Sequence, residues 1–496
     1  MNMQNDWLES RVQVSPTQTA LLMGDRQWRY AELNRLVSGC CARLAALGVQ
    51  PGDFVGVLLP NSSLYVCLIH ALARLGAVLV PLNTRLTLAE WQWQVAYVDC
   101  RMVLCEPEAA AAGQDVRLVP VDETWLDAES AVWESQQFGL NRVQAVVFTS
   151  GTSGRPKGAM LTFSNHFYSA LASAYRVGVL PDDLWLSCLP LYHVGGLAVI
   201  WRSCLYGTAV DLHPKFDLMA VNDSLNHKPI SLISLVPTML ARLLESRQTW
   251  PETLRLALIG GAAAAPDLLA RALAAGLPVA TTYGLTEAAS QVATMRPEDV
   301  RRKPGSVGRS LLFTTVRIVA ADGRDLPPDE IGEIVVSGPT VMAGYVGEDA
   351  LTDHTFHTGD MGYVDADGDL WVVQRRSDLI VTGGENVYPA EVEAVLKSHT
   401  AVEAACVVGL PDVEWGQVVA AAVVVKEGTA VTAAELTQLC RQRLAGYKLP
   451  RQIYFVPDLP LTASGKIARQ ELAQNLAIAR LASGVEPTVS QPEPLS

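Results

Sequence analysis

The spacing of hydrophobic residues predicts regularly alternating helices and strands over the first 300 residues. Between residues 29 and 48 apolar positions recur at helical spacing, and Gly48 is suited to ending that helix. Residues 54–59 form a continuous apolar run that predicts a buried strand, and a helix (63–75) and another strand (77–81) follow. Further strands are predicted near 102–105, 145–148, 184–188, 208–211, 231–235, 255–259 and 278–280. This alternation predicts stacked α/β layers with largely parallel sheets.

The pattern changes after Gly305, where short β-like runs between Val307 and Val341 predict a small β-rich subdomain. Residues 365–369 predict a hairpin turn between two strands. Beyond Asp378 the pattern predicts a small α+β domain, with helices at 389–398, 432–445 and from about 467, and strands at 403–409, 418–425 and 452–456. We therefore expect a large N-terminal domain (1–376), a mobile C-terminal domain (377–482) and a disordered Pro/Ser/Glu-rich tail (483–496).

Composition narrows the class of protein. The 496 residues are 49% hydrophobic and 18% charged, which is typical of a well-packed globular protein, and several domains are expected at this length. The net charge of −13 makes nucleic acid an unfavourable partner. The nine scattered cysteines form no CxxC pair, so we expect reduced core thiols and a cytoplasmic location. No signal peptide is visible, and the apolar window 64–82 is interrupted by His70, Arg74 and Gly76, so no membrane span is expected.

A glycine- and hydroxyl-rich stretch follows the predicted strand at 145–148. Its glycines allow tight backbone turns, its hydroxyls and N–H groups can surround phosphates, and its lysine adds positive charge. It does not match the Walker pattern, so it predicts a phosphate-binding loop of another kind. The alternative is a flexible surface turn. The candidate ATP-binding residues are Thr149, Ser150, Gly151, Thr152, Ser153, Gly154 and Lys157.

Five other segments place polar or small residues where strands are predicted to end. Gly260-Gly261 would let a flat ring approach the backbone, and Thr282 to Glu287 offers an aromatic ring, a hydroxyl and a carboxylate suited to Mg²⁺. The remaining three are His357 to Asp360, the glycine turn within Arg375 to Asn386, and Leu461 to Lys466. Each is weak alone, since a lysine near a C-terminus is usually a solvated charge.

Together and in this order, these motifs resemble those of the adenylate-forming superfamily, which contains acyl-CoA synthetases, firefly-type luciferases and the adenylation domains of peptide synthetases. The resemblance covers residues 7–475. It implies a two-step reaction in which a small carboxylic acid and Mg-ATP give an acyl-adenylate, and the CoA thiol then displaces AMP. It also implies that a mobile C-terminal domain serves the two steps in turn, and that a homodimer is possible.

The resemblance further implies roles for individual residues. The nucleotide would be held by the loop at 149–158, by Gly260, Gly261, Ala262, Tyr283 and Gly284, and by Asp360 and Arg375 at the ribose. The catalytic residues would be Lys466, Thr286, Glu287, which is also the metal ligand, and His193. The acid would contact His193, Arg202, Gly261 and Thr286. CoA would meet Gly383, Gly384, Glu385, Trp415 and Lys448, and Ser377 would be the hinge.

Within the superfamily, Trp7-Leu8, the stretch 189–197, Trp201-Arg202, Tyr206-Gly207 and the stretch 375–380 are most similar to o-succinylbenzoate–CoA ligases of the menaquinone and phylloquinone pathway. That substrate carries a second, aromatic carboxylate, for which we expect Arg202 to be a ligand, directly or through water. The alternative for Arg202 is a surface cation at a helix end. Alternative functions are ligation of another aryl or medium-chain acid, loading of a carrier protein, and a partner-binding module without chemistry. The presence of both Lys466 and Glu287 argues against the last.

Overall fold

The computed structural model describes residues 3–110, 117–127, 137–150, 156–374, 379–460 and 467–482. They divide into two compact units, the first holding the described residues up to 149 and from 156 to 374, and the second those from 379 to 482. No helix within these described ranges is both long and apolar enough to span a membrane.

The first unit is built from short strands and helices in alternation. Its strands are β1 (Met3–Gln4), β2 (Thr19–Met23), β3 (Arg26–Arg29), β4 (Phe54–Leu58), β5 (Val78–Pro81), β6 (Met102–Cys105), β7 (Leu118–Pro120), β8 (Phe138–Gly139), β9 (Val143–Ser150), β10 (Pro156–Thr162), β11 (Leu184–Ser187), β12 (Ala209–Leu212), β13 (Leu232–Leu235), β14 (Leu256–Ile259), β15 (Val279–Leu285), β16 (Ser290–Thr294), β17 (Arg309–Ser310), β18 (Thr315–Val319), β19 (Gly332–Ser337), β20 (Thr355–Val364) and β21 (Leu370–Gln374). Its helices are α1 (Trp7–Val14), α2 (Tyr30–Ala46), α3 (Ser63–Leu75), α4 (Leu88–Tyr97), α5 (Pro107–Ala110), α6 (Phe163–Val177), α7 (Val194–Tyr206), α8 (Leu218–His227), α9 (Pro237–Ser246), α10 (Pro266–Ala274) and α11 (Pro297–Val300), with 3₁₀ helices at Glu123–Asp127 and Thr286–Ala288.

Two large sheets organise this unit. One has six strands in the order β10-β9-β5-β4-β6-β7, and the other has nine in the order β17-β16-β15-β14-β13-β11-β12-β2-β3. Their central pairs are parallel, as for β4 with β5 and β13 with β14, whereas β15–β16–β17 and β2–β3 are antiparallel. The predicted α/β fold with largely parallel sheets is confirmed, and antiparallel strands end the nine-stranded sheet.

The apolar window at 64–82 folds as a helix followed by a strand, as predicted. All residues of α3 are buried, Ser62 caps its N-terminus by accepting a hydrogen bond from the Tyr65 N–H, and Gly76 ends it in the left-handed region at φ +81°. Strand β5 then lies fully buried between β4 and β9. All nine cysteines are free thiols, and every one except Cys100 is buried.

The predicted β-rich subdomain is a four-stranded antiparallel sheet in the order β18-β19-β20-β21. The predicted hairpin turn at 365–369 joins β20 to β21. Lys303 fixes this turn, because its Nζ lies 2.6–2.8 Å from a carboxylate oxygen of each of Asp365, Asp367 and Asp369.

Two sequence predictions about the first unit need correction. The stretch 149–158 is not a loop throughout, because β9 continues to Ser150 and β10 begins at Pro156, which places Lys157 and Gly158 in a strand. Strand β15 runs on to Leu285, well past the predicted end at 280, because it pairs antiparallel with β16. At 149–158 the glycines were interpreted as loop residues, although Gly158 lies inside a strand where the Val146 side chain approaches closely.

The second unit is a small α+β fold, as predicted. Its elements are β22 (Ile380–Thr382), β23 (Glu385–Val387), α12 (Pro389–Lys397), β24 (Val402–Asp412), β25 (Gly416–Val425), α13 (Ala433–Arg441), a 3₁₀ helix (Gly446–Lys448), β26 (Gln452–Phe455) and α14 (Arg469–Ala482). The long hairpin β24–β25 is its centre, with β22 antiparallel and β26 parallel to β25. Helix α13 ends earlier than the predicted 445, and the predicted tail at 483–496 lies outside the described residues.

A buried ion pair anchors α1 to α3. Arg74 Nε donates to Asp6 Oδ2 at 2.8 Å, and both side chains are buried. Burial alone would raise the pKa of Asp6, but the charge and hydrogen bonds of Arg74, with the Glu9 N–H, hold this pKa below its usual value. The pair therefore stabilises the fold above the unfolded pKa of aspartate, and its contribution is lost as pH falls through the depressed folded pKa.

We expect Asp6→Ala to lower the free energy of unfolding by about 3–5 kcal/mol, because it leaves Arg74 buried without its partner. Urea unfolding at neutral pH measures this. Asp325→Ala, which breaks the exposed pair with Arg317, is the matched control and should cost less than about 1 kcal/mol. Equal losses in both variants would contradict this account.

Candidate active site

Glu287 lies on a tight reversal between β15 and β16. The connection is the 3₁₀ helix Thr286–Ala288, followed by Ala289 at φ 50° and Ser290 at φ 102°. Two successive non-glycine residues at positive φ store backbone strain, which is common at functional sites. The reversal also requires glycine at 284, since a Cβ there would lie 2.0 Å from the carbonyl oxygen of Ser290.

The carboxylate of Glu287 is buried and held by two hydroxyl groups. Tyr345 donates to its Oε1 at 2.6 Å and Thr149 donates to the same oxygen at 3.3 Å. The backbone N–H of Met342 donates to the Glu287 carbonyl at 2.9 Å. Within the described part of the chain, Oε2 accepts no hydrogen bond. Oε2 therefore belongs to a carboxylate with a fixed orientation and can still coordinate a ligand. Such an oxygen suits Mg²⁺, which prefers oxygen donors and shares them with phosphates.

Lys157 contacts Tyr345, the residue that donates to Glu287. Its Nζ is 2.7 Å from Glu348 Oε1 and 4.8 Å from the centre of the Tyr345 ring. The structure therefore brings together three residues predicted to handle phosphates and metal, Thr149, Lys157 and Glu287. The arrangement contains both a cation and a carboxylate, the two charges that the predicted roles toward phosphate and its counter-ion require.

Asp360 lies on a bulge in β20. The register with β19 shifts between Glu333 and Val335, which re-aims the residues just before Met361. Tyr283 at the end of β15 donates its hydroxyl to Asp360 Oδ2 at 2.6 Å. Two predicted nucleotide ligands are thus in direct contact. Tyr283 is fully buried in an apolar cluster, and its predicted role against the adenine stays a prediction.

The segment at 260–262 follows β14, in the same sheet as Tyr283. The N–H of Gly260 donates to the Leu235 carbonyl at 3.1 Å, and a Cβ at this position would lie 2.7 Å from the Thr282 side chain. Gly261 has φ +79° and is exposed, and Ala262 is half-buried. A bare, accessible backbone at the end of a parallel strand suits the approach of a flat ring.

His193 and Arg202 belong to α7. His193 is the half-buried N-cap residue, and its ring meets Tyr192 edge-on at 4.7 Å. Arg202 is only 2% exposed, so the alternative of a surface cation is wrong. Its Nη2 donates to Ser169 Oγ at 3.2 Å, and Ser169 Oγ donates to the carbonyl of Ala289 at 2.7 Å. Arg202 is therefore connected through one side chain to the strained segment that carries Glu287.

The five predicted CoA ligands all lie in the second unit. Gly383 and Gly384 form the turn between β22 and β23, which Glu385 follows. The Gly383 N–H donates to the Trp415 carbonyl at 2.9 Å, and a Cβ at 383 would lie 2.7 Å from the Trp415 ring. Lys448 is buried, with its Nζ 2.7 Å from Glu391. Lys448 is thus part of a buried ion pair, and its role toward CoA stays a prediction.

Several predicted site residues lie outside the described residues, and their roles stay predictions. They are Gly151, Thr152, Ser153, Gly154, Arg375, Ser377 and Lys466. Ser150 ends β9, and Thr286 begins the 3₁₀ helix of Glu287.

Sequence reasoning missed two residues at this site. Tyr345 contacts both Glu287 and Lys157, and Ser169 links Arg202 to Ala289. Each is far from its partners along the chain, and no local pattern of sequence identifies such a pair. A glycine before Tyr345 within an otherwise apolar run was the one available signal of a close backbone approach.

Comparison with known proteins places this arrangement in a family. Residues 8–346 match the family described as AMP-binding enzyme, and residues 391–466 match the AMP-binding enzyme C-terminal domain. The chain belongs to the AMP-binding enzyme family. It is 40% identical over 476 residues to a 2-succinylbenzoate–CoA ligase of Bacillus cereus, a match that covers 95% of this chain and 98% of the relative.

Solved structures agree with this assignment. The o-succinylbenzoate CoA synthetase of Bacillus subtilis is 38% identical over 95% of this chain. The match to a double mutant of that synthetase, bound to the product analogue OSB-NCoA, covers 98% of the synthetase chain and has a TM-score of 0.90. Its complex with the acyl-adenylate OSB-AMP (98% covered) and its complex with ATP and magnesium (100% covered) each have a TM-score of 0.73. This AMP-binding enzyme therefore has the fold of a family whose relatives carry the nucleotide, the metal and a CoA product analogue.

Proposed function

We propose that this chain ligates o-succinylbenzoate to CoA with Mg-ATP, giving o-succinylbenzoyl-CoA, AMP and pyrophosphate. This is a step of menaquinone or phylloquinone biosynthesis. The observation that carries the proposal is the 40% identity over 95% of the chain to a ligase named for this substrate. The bound molecules named for the Bacillus subtilis synthetase, which are an acyl-adenylate, a CoA product analogue and Mg-ATP, support ATP, Mg²⁺ and CoA as the cosubstrates and metal of this chain.

In the first half-reaction, an oxygen of the succinyl carboxylate attacks the α-phosphorus of ATP and pyrophosphate leaves. Lys157 would contact phosphate oxygens, Asp360 would accept hydrogen bonds from ribose hydroxyls, and Glu287 would hold Mg²⁺. Bound magnesium would neutralise charge on the phosphates. The carboxylate is already ionised, so no general base is needed, and we propose that His193 shapes the acid pocket. Lys466 would stabilise the charge that develops between the carboxylate and the α-phosphate.

In the second half-reaction, the thiol sulfur of CoA attacks the acyl carbonyl, the bond to AMP breaks and the thioester forms. The turn at Gly383 and Gly384, packed on Trp415, is the proposed contact for the pantetheine arm.

Arg202 supports recognition of a second carboxylate. Arg74 and Arg202 are the arginines buried to below 5% exposure in the described ranges, and Arg74 is paired with Asp6. Arg202 has no carboxylate partner there, and its Nε makes no hydrogen bond. Burial lowers the pKa of both Arg202 and the nearby His166, whose pKa falls to about 3, so this imidazole is neutral. An isolated buried cation is costly, and a ligand carboxylate would supply the missing counter-charge.

The identity of the acid substrate is tested by measuring pyrophosphate release with Mg-ATP and CoA. The acids compared are o-succinylbenzoate, benzoate, 4-coumarate, hexanoate and decanoate. We expect kcat/KM for o-succinylbenzoate to exceed that for every other acid by at least about 100-fold, because a buried charged group rejects ligands that leave it unpaired. A preference for a monocarboxylate would retain the ligase chemistry and overturn the substrate. The same assay with a carrier protein in place of CoA distinguishes a CoA ligase from an enzyme that loads a carrier protein.

Two further expectations are part of the proposal. The family resemblance predicts a homodimer, which light scattering of the purified chain would test. The reduced thiols and the absence of a spanning helix among the described residues are compatible with the predicted cytoplasmic location.

A further inference from the structure

We propose that Tyr345 is a positioning residue that fixes the metal-binding carboxylate and the phosphate-binding lysine relative to one another. The inference rests on the proposed roles of Glu287 and Lys157. The Tyr345 hydroxyl donates to Glu287 Oε1 at 2.6 Å, and the centre of the Tyr345 ring lies 4.8 Å from Lys157 Nζ. One side chain therefore contacts both an anion and a cation of the site.

The hydroxyl determines which carboxylate oxygen is left for a ligand. Glu287 Oε1 accepts hydrogen bonds from Tyr345 and, at longer range, from Thr149. A short bond between a neutral hydroxyl and a carboxylate is charge-assisted and directional, so it holds the carboxylate in one orientation. In that orientation Oε2 remains for the metal, and the carboxylate needs no reorganisation when Mg-ATP binds.

The ring determines where the ammonium group of Lys157 lies. An ammonium group over an aromatic face is attracted by the ring quadrupole. Glu348 holds the same ammonium group at 2.7 Å, and both Lys157 and Glu348 are partly exposed. Phosphate oxygens compete directly with Glu348 for this cation, whereas the ring can keep its contact throughout.

The backbone of Tyr345 is itself fixed to the strand that carries Lys157. The Met160 N–H donates to the Gly344 carbonyl at 3.0 Å, and the N–H groups of Ala343 and Val346 donate to the carbonyls of Met160 and Gly158 at 2.9 Å. This ladder places Tyr345 opposite Ala159. The side chain therefore has a defined origin, as a positioning residue requires.

The variants separate the two contacts. Tyr345→Phe removes the hydroxyl and keeps the ring, whereas Tyr345→Leu removes both. Tyr97→Phe is the matched control, because the Tyr97 hydroxyl donates to the neighbouring carbonyl of Val346 at 2.5 Å without a hydrogen bond to Glu287. The readout is ATP affinity by calorimetry in the absence of acid, with Mg²⁺ and with EDTA, together with the Mg²⁺ dependence of adenylation.

For Tyr345→Phe we expect the gain in ATP affinity that Mg²⁺ confers to fall by about three- to tenfold, while affinity in EDTA stays at the wild-type value. Tyr345→Leu should also weaken ATP binding in EDTA, because Lys157 loses its aromatic contact. Tyr97→Phe should match the wild type in both conditions. A residue with only a structural role would weaken ATP equally with and without Mg²⁺, and that result would overturn the proposal.

Glu287→Gln distinguishes failure of this inference from failure of the proposed function. If Glu287→Gln loses the Mg²⁺-dependent gain and Tyr345→Phe retains it, the positioning role is wrong and the metal role of Glu287 stands. If Glu287→Gln retains the gain, the proposed metal ligand itself is wrong. Circular dichroism and thermal melting of each variant confirm that a folded protein is being compared.

Discussion

Lys466→Ala should lower the rate of acyl-adenylate formation by at least about 100-fold, the scale seen when one preorganised group that stabilises transition-state charge is removed. The lysine is assigned by the motif resemblance and lies outside the described residues. The attack of a carboxylate on a polyphosphate concentrates negative charge, and no other lysine belongs to the predicted catalytic set. Single-turnover formation of the adenylate from acid and Mg-ATP measures this step.

The same variant should form the thioester from pre-made acyl-adenylate and CoA at a rate within about threefold of wild type. The family resemblance implies that the C-terminal domain rotates between the two half-reactions, so Lys466 would no longer lie at the reacting atoms in the second. Lys426→Ala, in the same unit, is the control, since Lys426 is exposed and donates to the Thr400 carbonyl. Equal loss in both half-reactions would contradict the predicted alternation of the C-terminal domain between them.

Arg202→Ala should raise KM for o-succinylbenzoate by at least tenfold and leave KM for ATP within about twofold of wild type. Losing the partner of a buried charge costs roughly 2–5 kcal/mol, and each 1.4 kcal/mol is about tenfold in affinity. Arg202→Met, which keeps much of the volume of the side chain, should show the same KM effect with less loss of packing. Steady-state kinetics with each substrate varied in turn measures both constants.

A substrate analogue provides the matched control for Arg202. 4-Oxo-4-phenylbutanoate differs from o-succinylbenzoate only by the absent ring carboxylate. The wild-type enzyme should prefer o-succinylbenzoate by at least about tenfold, and this preference should disappear in both Arg202 variants. If the variants lose activity toward both acids by the same factor, Arg202 supports the fold of the pocket and does not bind the second carboxylate.

The sequence predicted most of the fold because each large element carries its own signal. Helix α3 is rich in apolar residues, is buried on every face and ends at a glycine, and the strands of the parallel sheets are short, mostly apolar runs. Glycine-rich stretches were less reliable. Strand β10 was missed because its sequence begins with proline and contains Gly158, which lies against Val146 and Val346.

The candidate site was predictable residue by residue but not contact by contact. Thr149 and Lys157 were assigned from one motif and Glu287 from another, and the structure places them around Tyr345, which belongs to neither motif. Likewise, the apolar residues beside Arg202 indicate a buried helix, but its contact with Ser169 depends on α6 packing against α7. Motifs identify chemistry, while the residues that orient it come from distant parts of the chain.

The link from Arg202 through Ser169 to the Ala289 carbonyl has a consequence for the divergence of acid preference. Selection of the acid and binding of the metal are physically coupled. A homologue that replaces Arg202 also loses the hydrogen bond that Arg202 donates to the Ser169 hydroxyl, and this hydroxyl holds the strained segment after Glu287. Directed evolution toward acids that lack a second carboxylate should therefore accumulate changes at position 169 alongside those at position 202. Libraries that vary the pocket wall alone would miss these paired solutions.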